Sequence, residues 1–285
     1  MAKNRKIRKV IKSKPTIEGA GVHLKRVFGF SEVPLFDPFL LLDDFRSNDP
    51  RHYIKGFPWH PHRGIETITY VLRGNVEHGD SMGNKGVIGP GDIQWMTAGS
   101  GIIHQEMPQE SPTGTMWGFQ FWANLPASQK MMTPRYRDVK AADIPEVTLG
   151  GNIIVKVIAG TVGDVQGPVR DIVIEPEMLD ISMPPETVMR HSLPDGHTAI
   201  VYVLSGEGLF EESDRVFNPE TVVLFEHEGD EVQFATSYKP VRFLFISGKP
   251  LNEPIAWSGP IVMNTHAELQ TAFEEFDKGA FIKHG

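Results

Sequence analysis

The stretch FPWHPHRGIETITYVLRG, from Phe57 to Gly74, decides the fold of the first half of the chain. Two histidines, His60 and His62, stand two residues apart with a proline between them, and a run of alternating side chains typical of a β-strand follows. Pro61 disfavours a helical conformation for His60, and side chains at positions i and i+2 of a strand point to the same face. The stretch therefore predicts two imidazoles aimed in one direction at the mouth of a strand.

A second pair with the same spacing, His104 and Glu106, lies 42 residues after His62 in GIIHQEM. Hairpins in the intervening segment could return this pair to the first, so that three imidazoles and one carboxylate converge inside a barrel. Such a set suits a first-row divalent metal with positions left for substrate or dioxygen. Glu66 has the same strand parity as His60 and His62, so either glutamate can be the ligand and the other a proton acceptor. The residues alone leave this choice open.

Turn-forming residues (Gly, Pro, Asn and Asp) divide the first half into short segments, and the chain has 28 glycines and 22 prolines. Spacings of about 8–12 residues between such turns are typical of an antiparallel sandwich or barrel. The predicted strands are Gly21–Val27, Glu66–Leu72, Gly86–Val87 continuing into Asp92–Met96, and Met116–Ala123.

The second half contains a similar strand motif, because YVLRG at Tyr70–Gly74 recurs 132 residues later as YVLSG at Tyr202–Gly206. An offset of nearly half of the 285 residues indicates a duplication. We therefore predict two domains, residues 1–140 and 141–285. A capping box that begins at Thr265, with an apolar stripe after it, predicts a helix near the C-terminus.

Charge and composition limit the classes of function. The formal net charge is −8, and the first fourteen residues carry seven Lys or Arg, which leaves −15 on the remainder. This acidic body argues against nucleic acid as a partner. No apolar run approaches the roughly eighteen residues of a membrane span, and the chain has no cysteine for a disulfide or a thiolate metal site. We expect a cytoplasmic protein with no membrane partner, or a nuclear one if the source is eukaryotic.

Long motifs of the chain resemble those of the pirins, two-domain members of the cupin superfamily. They are LLLDDF at Leu40–Phe45, GFPWHPHRGIETITYVLRG at 56–74, GPGDIQWMTAGSGIIHQEMP at 89–108, GFQFWANLPASQKM at 118–131 and GKPLNEPIAWSGPIVMNTHAEL at 248–269. The resemblance implies an all-β fold of two tandem cupin domains, each an antiparallel sandwich or jelly-roll barrel, with a few short helices including the C-terminal one.

The resemblance also implies which residues hold a metal. In pirins, two histidines of the first motif and a His and a Glu of the second bind it, and those positions here are His60, His62, His104 and Glu106. The family pattern thus favours Glu106 over Glu66 as the ligand. Fe(II) is the expected metal, with Mn, Ni, Cu, Co or Zn as alternatives that cupins also accept.

The second half lacks an equivalent set of ligands. At the offset of 132, His60, His62 and Glu66 correspond to Ser192, Pro194 and Thr198, and His104 corresponds to Thr236. We therefore expect a C-terminal cupin without metal ligands. Closeness to the ligand motifs in the sequence suggests that Phe57, Met96, Met107 and Gln120 line the substrate pocket.

Two functions fit one such site. The resemblance implies first a quercetin 2,3-dioxygenase, which opens a flavonol ring with O₂ at a mononuclear iron held by three His and one Glu. Glu106 would then act as a base as well as a ligand, with Glu66 as the alternative base. The second function is a non-catalytic, iron-dependent redox sensor that binds transcription factors or metabolic enzymes.

Overall fold

The computed structural model describes residues 3–111, 113–212 and 214–284. Within them the chain is built from antiparallel strands, with one α-helix, α1 (His266–Asp277), near the C-terminus. The predicted all-β fold with a C-terminal helix is therefore confirmed. Thr265 caps α1 and forms the predicted capping box with Glu268. In the described part of the chain, no helix has both the length and the apolar character to cross a membrane.

The strands of the first half are β1 (Ile7–Lys12), β2 (Lys14–Glu18), β3 (Val22–Phe28), β4 (Phe39–Ser47), β5 (Phe57–His62), β6 (Ile65–Arg73), β7 (Asn75–Asp80), β8 (Lys85–Ile88), β9 (Ile93–Thr97), β10 (Ile102–Gln109), β11 (Met116–Asn124) and β12 (Arg135–Val139). Those of the second half are β13 (Glu146–Leu149), β14 (Ile153–Ala159), β15 (Thr161–Val162), β16 (Val165–Gln166), β17 (Glu177–Met183), β18 (Val188–Ser192), β19 (Thr198–Gly206), β20 (Thr221–Phe225), β21 (Glu231–Ala235), β22 (Val241–Gly248), β23 (Ala256–Ser258) and β24 (Ile261–Met263). Single 3₁₀ turns lie at Phe30–Glu32, Pro50–His52, Ala127–Gln129, Ala141–Asp143 and Gly150–Asn152.

The chain divides into two compact units that exchange their terminal segments. The first, here the N-terminal barrel, comprises Lys14–Ala141 together with the residues from Leu251 onward, here the C-terminal segment. The second, the C-terminal barrel, comprises Ala142–Pro250 together with the residues up to Ser13. This grouping differs at both termini from the continuous domains 1–140 and 141–285 expected from the sequence. The physical reason at the start of the chain is that β1 pairs in antiparallel register with β20.

Two sheets face each other in the N-terminal barrel. The larger has the strand order β12-β9-β6-β11-β4-β3-β2, and the smaller has the order β5-β10-β7-β8. Buried apolar side chains from both sheets, including Val71, Val76 and Ile88, pack together. A hydrogen bond between Thr69 on β6 and Glu106 on β10 also joins the sheets. The inner faces of β6 and β10 therefore share one interior.

The C-terminal barrel has an apolar interior. Its larger sheet has the order β1-β20-β19-β22-β17-β14-β13, and β18 pairs with β21. Its core contains six buried phenylalanines, Phe210, Phe217, Phe225, Phe234, Phe243 and Phe245. Among the described residues, no cluster of potential metal-binding side chains lies in this barrel.

The repeated YVLRG and YVLSG motifs occupy equivalent places in two nine-residue strands, β6 and β19. Gly74, after β6, and Gly206, at the end of β19, have φ angles of 80° and 77°. This left-handed conformation suits glycine because it has no Cβ. The glycine of each motif is therefore explained by the turn that follows the strand.

Candidate metal centre

The antiparallel pairing of β5 with β10 brings the two histidine motifs together. His60 lies opposite His104, and His62 lies opposite Ile102. Along β10, side chains alternate strictly between buried and half-buried, so that His104 and Glu106 both face the interior. The i, i+2 spacing of each motif thus directs both of its side chains to the same face of the strand, as predicted from the sequence.

The three imidazoles converge through their Nε2 atoms. The Nε2 of His60 lies 3.1 Å from the Nε2 of His62 and 3.0 Å from the Nε2 of His104. The ligand atoms of all three rings lie within 4.8 Å of one another. Such a cluster can hold a metal ion, provided that the nitrogen lone pairs point inward.

The other ring nitrogens show that two of these lone pairs do point inward. The Nδ1 of His60 donates to the Pro58 carbonyl at 2.9 Å, and the Nδ1 of His62 donates to the Pro260 carbonyl at 3.0 Å. This arrangement leaves each neutral ring with its lone pair on Nε2, as is usual for a ligating histidine. A single proton can bridge one of the two close Nε2 pairs, whereas one cation satisfies all three nitrogens. The residues therefore fit a metal.

Burial favours the neutral, ligating form of two of the rings. His62 and His104 are 2% and 0% exposed. Burial lowers the pKa of both rings well below the usual value, and the neighbouring histidines lower it further. Near neutral pH both imidazoles are therefore unprotonated and able to bind a cation.

Glu106 faces the same interior as the histidines. Its Oε1 accepts a hydrogen bond of 2.5 Å from the hydroxyl of Thr69, which leaves Oε2 available. Glu106 lies outside the tight cluster of imidazoles, but it borders the same cavity as His60 and His62. From this position Glu106 can serve a bound metal either as a fourth ligand or as a neighbouring proton acceptor.

Glu66 lies elsewhere. Its carboxylate accepts hydrogen bonds from Trp95 Nε1 at 3.2 Å and from Thr97 Oγ1 at 2.6 Å. Glu66 would share a face with His60 and His62 only in an unbroken strand, but the chain turns between β5 and β6 at Gly64, where φ is 78°. The structure therefore does not bring Glu66 to the imidazoles, and burial raises the pKa of its carboxyl group.

The C-terminal segment braces the ligand strand immediately after His62. Arg63, 2% exposed, donates to the Phe281 carbonyl and pairs with Glu275, both at 2.8 Å. Lys130, 1% exposed, donates to the carbonyls of Gly64 and Val262. Because a Cβ on Gly64 would collide with the Val262 carbonyl, only glycine allows β24 to approach this closely. The brace holds the Pro260 carbonyl against His62, and no motif in the sequence predicted this contact.

A fourth histidine, His78, is buried next to the cluster. The ring of His78 on β7 lies 5.4 Å from that of His104, and its Nε2 lies 3.4 Å from the carboxylate of Asp80. Register explains this position, because His104 pairs with Asp80 and Glu106 pairs with His78. The i, i+2 spacing of His78 and Asp80 was the available signal.

A cavity of about 770 Å³ opens onto the centre. Its walls include four aromatic side chains, Phe30, Phe57, Trp122 and Trp257. Polar residues that border it, besides His60, His62 and Glu106, are Glu18, Arg26, Asp43 and Gln120.

Two of the four pocket residues expected from the sequence, Phe57 and Gln120, border this cavity. Met96 is instead buried in a separate apolar cluster with Ile65 and Ile102. Met107 has the opposite parity to Glu106 on β10 and is not among the lining residues. Closeness in sequence to a ligand is therefore a poor guide to the cavity wall.

The two antiparallel barrels, with three converging imidazoles and a carboxylate in the first, define a bicupin with a candidate metal centre. Residues 21–123 match the sequence profile of the family Pirin, and residues 178–282 match that of the Pirin C-terminal cupin domain. The chain belongs to the pirin family.

Individual relatives agree with this assignment. A pirin-like protein of Caulobacter vibrioides is 41% identical over 281 residues, which cover 97% of this chain and 99% of the relative. Pirin-like protein 2 of Arabidopsis thaliana is 41% identical over 283 residues, covering 97% and 85%. Among solved structures, the quercetin 2,3-dioxygenase from Acinetobacter baumannii aligns with a TM-score of 0.90 at 33% identity, covering 98% of this chain and 99% of that one.

Proposed function

We propose that this protein is a metal-dependent dioxygenase of the quercetin 2,3-dioxygenase type, which opens a flavonol ring with O₂ and releases carbon monoxide. The observation that carries the proposal is the convergence of His60, His62 and His104 beside Glu106, at a cavity large enough for an aromatic substrate. The similarity to the Acinetobacter enzyme supports the same reaction class.

Three imidazoles and one carboxylate are borderline and hard ligands that suit Fe(II), the metal we assign, and also Mn, Ni, Cu, Co or Zn. When bound, the metal would supply Lewis acidity toward the 3-hydroxyl and 4-carbonyl of a flavonol and a site for dioxygen. The histidines would hold it through Nε2, and Glu106 would be the fourth ligand.

The protein's own residues position the substrate and move its proton. The carboxylate of Glu106 borders the cavity and is oriented by Thr69, so that it can accept the proton of the flavonol 3-hydroxyl. The side chains of Phe57, Trp122 and Trp257 give the cavity aromatic walls, which bury flat rings and exclude water.

The test is aerobic consumption of quercetin by the Fe(II)-reconstituted protein, followed as loss of flavonol absorbance with trapping of carbon monoxide. We expect turnover, at least a 100-fold loss in His62→Ala, and a loss of about 10²–10⁴-fold in Glu106→Gln if it transfers the proton. His191→Ala, a substitution in the C-terminal barrel, is the control and should retain the activity.

The absence of carbon monoxide with each of the candidate metals would overturn the dioxygenase. The remaining function would then be the regulator, in which the same ligands hold iron as a redox switch for a protein partner. Capture of a partner that depends on Fe(II) or Fe(III) would identify that function.

A further inference from the structure

A row of polar side chains crosses the inner face of the larger sheet in the N-terminal barrel. Gln120 on β11 pairs with Thr69 on β6 on one side and with Asp43 on β4 on the other. Asp43 in turn pairs with Arg26 on β3. Because adjacent strands are about 4.8 Å apart, the row from Thr69 to Arg26 extends over about 14 Å.

Hydrogen bonds connect this row to the metal centre at one end and to the cavity rim at the other. Thr69 bonds Glu106 at 2.5 Å and the Gln120 side chain at 2.9 Å. At the far end, Arg26 donates two hydrogen bonds, of 2.9 and 2.7 Å, to the Asp43 carboxylate. Arg26 also forms an ion pair with Glu18 at 2.9 Å.

Gln120, Asp43 and Arg26 all border the cavity. Asp43 is 4% exposed, and burial raises its pKa to about 6, so that the carboxylate is ionised at neutral pH. Each of its oxygens accepts one bond from Arg26 and keeps a further lone pair. These lone pairs can accept hydrogen bonds from phenolic hydroxyls.

The cavity therefore combines a polar edge, which begins at the metal centre, with aromatic walls. Burying the Asp43 carboxylate costs desolvation free energy, which its ion pair with the half-buried Arg26 offsets. A planar ligand with hydroxyl groups far from its reacting end would use both the polar edge and the aromatic surfaces.

We propose that Asp43, held by Arg26, and Gln120 recognise hydroxyl groups on the pendant ring of the substrate, so that the site selects flavonols hydroxylated on that ring. This inference rests on the proposed function, because it assumes that the 3-hydroxyl end of the flavonol lies at the metal. Asp43 and Gln120 are specificity-determining residues at the remote end. A site that hydrogen-bonds a substrate hydroxyl discriminates against the analogue that lacks it, since its own polar groups are then left unpaired.

The experiment measures binding of two flavonols to the Fe(II)-loaded protein without oxygen, where no turnover occurs. Quercetin carries two hydroxyls on the pendant ring, and galangin carries none. All five tryptophans (Trp59, Trp95, Trp117, Trp122 and Trp257) belong to the N-terminal barrel, so quenching of their fluorescence reports binding there. The wild-type protein should bind quercetin about 10-fold tighter than galangin, as expected for one or two net hydrogen bonds.

Two variants test the residues, and a third is the control. Asp43→Asn and Gln120→Leu should each reduce the quercetin-to-galangin preference at least threefold while changing galangin affinity less than twofold. Asp180→Asn breaks a similar bidentate pair, with Arg242 at 2.9 and 2.6 Å, in the C-terminal barrel, and should leave the preference unchanged. Should Asp43→Asn fail to fold, Gln120→Leu carries the test.

Equal preference in the wild-type protein, or wild-type preference retained in Gln120→Leu and in folded Asp43→Asn, would overturn the inference. Failure of the proposed function is a different result, namely selective anaerobic binding followed by no carbon monoxide when oxygen is admitted. Turnover of both flavonols without any selectivity would instead support the dioxygenase function and exclude recognition of the pendant ring by Asp43 and Gln120.

Discussion

Acidification should destabilise the metal-free N-terminal barrel through two of its histidines. His62 and His104 are buried, and burial keeps the pKa of each ring well below 6.5 in the folded state. In the unfolded chain both rings titrate near 6.5. As the pH falls through 6.5, the unfolded state therefore binds protons that the folded state does not, and the free energy of unfolding falls.

The size of this effect follows from proton linkage. Between pH 6.5 and 5.5, each such histidine removes about 1 kcal/mol from the free energy of unfolding, so the two together remove about 2 kcal/mol. The variant that carries both His62→Asn and His104→Asn lacks this contribution. Its free energy of unfolding should therefore change by about 2 kcal/mol less than that of the wild-type protein over the same interval.

Urea denaturation of chelator-treated protein measures this difference. Tryptophan fluorescence is the right signal, because all five tryptophans lie in the N-terminal barrel. The dependence of the unfolding free energy on urea should be the same at both pH values, so that only the midpoint moves. If the wild-type protein and the double variant lose the same stability between pH 6.5 and 5.5, the two rings are not held neutral by burial.

Two further predictions concern the support of the centre. Lys130→Met removes the hydrogen bonds of a buried ammonium to the Gly64 and Val262 carbonyls and to Asn124 Oδ1, and should lower the free energy of unfolding by about 3 kcal/mol. Lys140→Met, which removes partly exposed ion pairs with Asp92 and Asp138, should cost under about 1 kcal/mol; similar losses for the two variants in urea denaturation would contradict the brace. Thr69→Val removes the hydrogen bond that orients Glu106 and should weaken metal binding by about 10-fold, as outer-shell substitutions do; an unchanged dissociation constant in a metal titration would show that Glu106 needs no such support.

The convergence of the three imidazoles could be predicted because the geometry within each motif is local. The i, i+2 spacing on β5 and β10 fixes which face each side chain takes, and this face is buried along β10. Only the pairing of β5 with β10 is a long-range contact that local spacing does not determine, and the resemblance to pirins implied it. The same reasoning was wrong for Glu66, only four residues after His62, because the glycine turn between them breaks the alternation of side chains.

The wall of the cavity could not be predicted in this way, because it depends on register between strands distant in sequence. Asp43 lies beside Arg26 and Gln120 only because β4 pairs with both β3 and β11. Trp257 reaches the cavity from the C-terminal segment, which the sequence had assigned to the second domain. The alternation of apolar and polar residues indicates which face of a strand a side chain takes, but it does not indicate which strands lie next to that strand.

The most direct test of the central claim is the metal content of the protein after anaerobic reconstitution with Fe(II) and removal of unbound metal, measured by mass spectrometry. We predict one equivalent of iron per chain in the wild-type protein and in His191→Ala, and less than a tenth of an equivalent in His62→Ala and in His104→Ala. Iron retained in both ligand variants, or absent from the wild-type protein under conditions that keep it folded, would contradict the metal centre assigned to the N-terminal barrel.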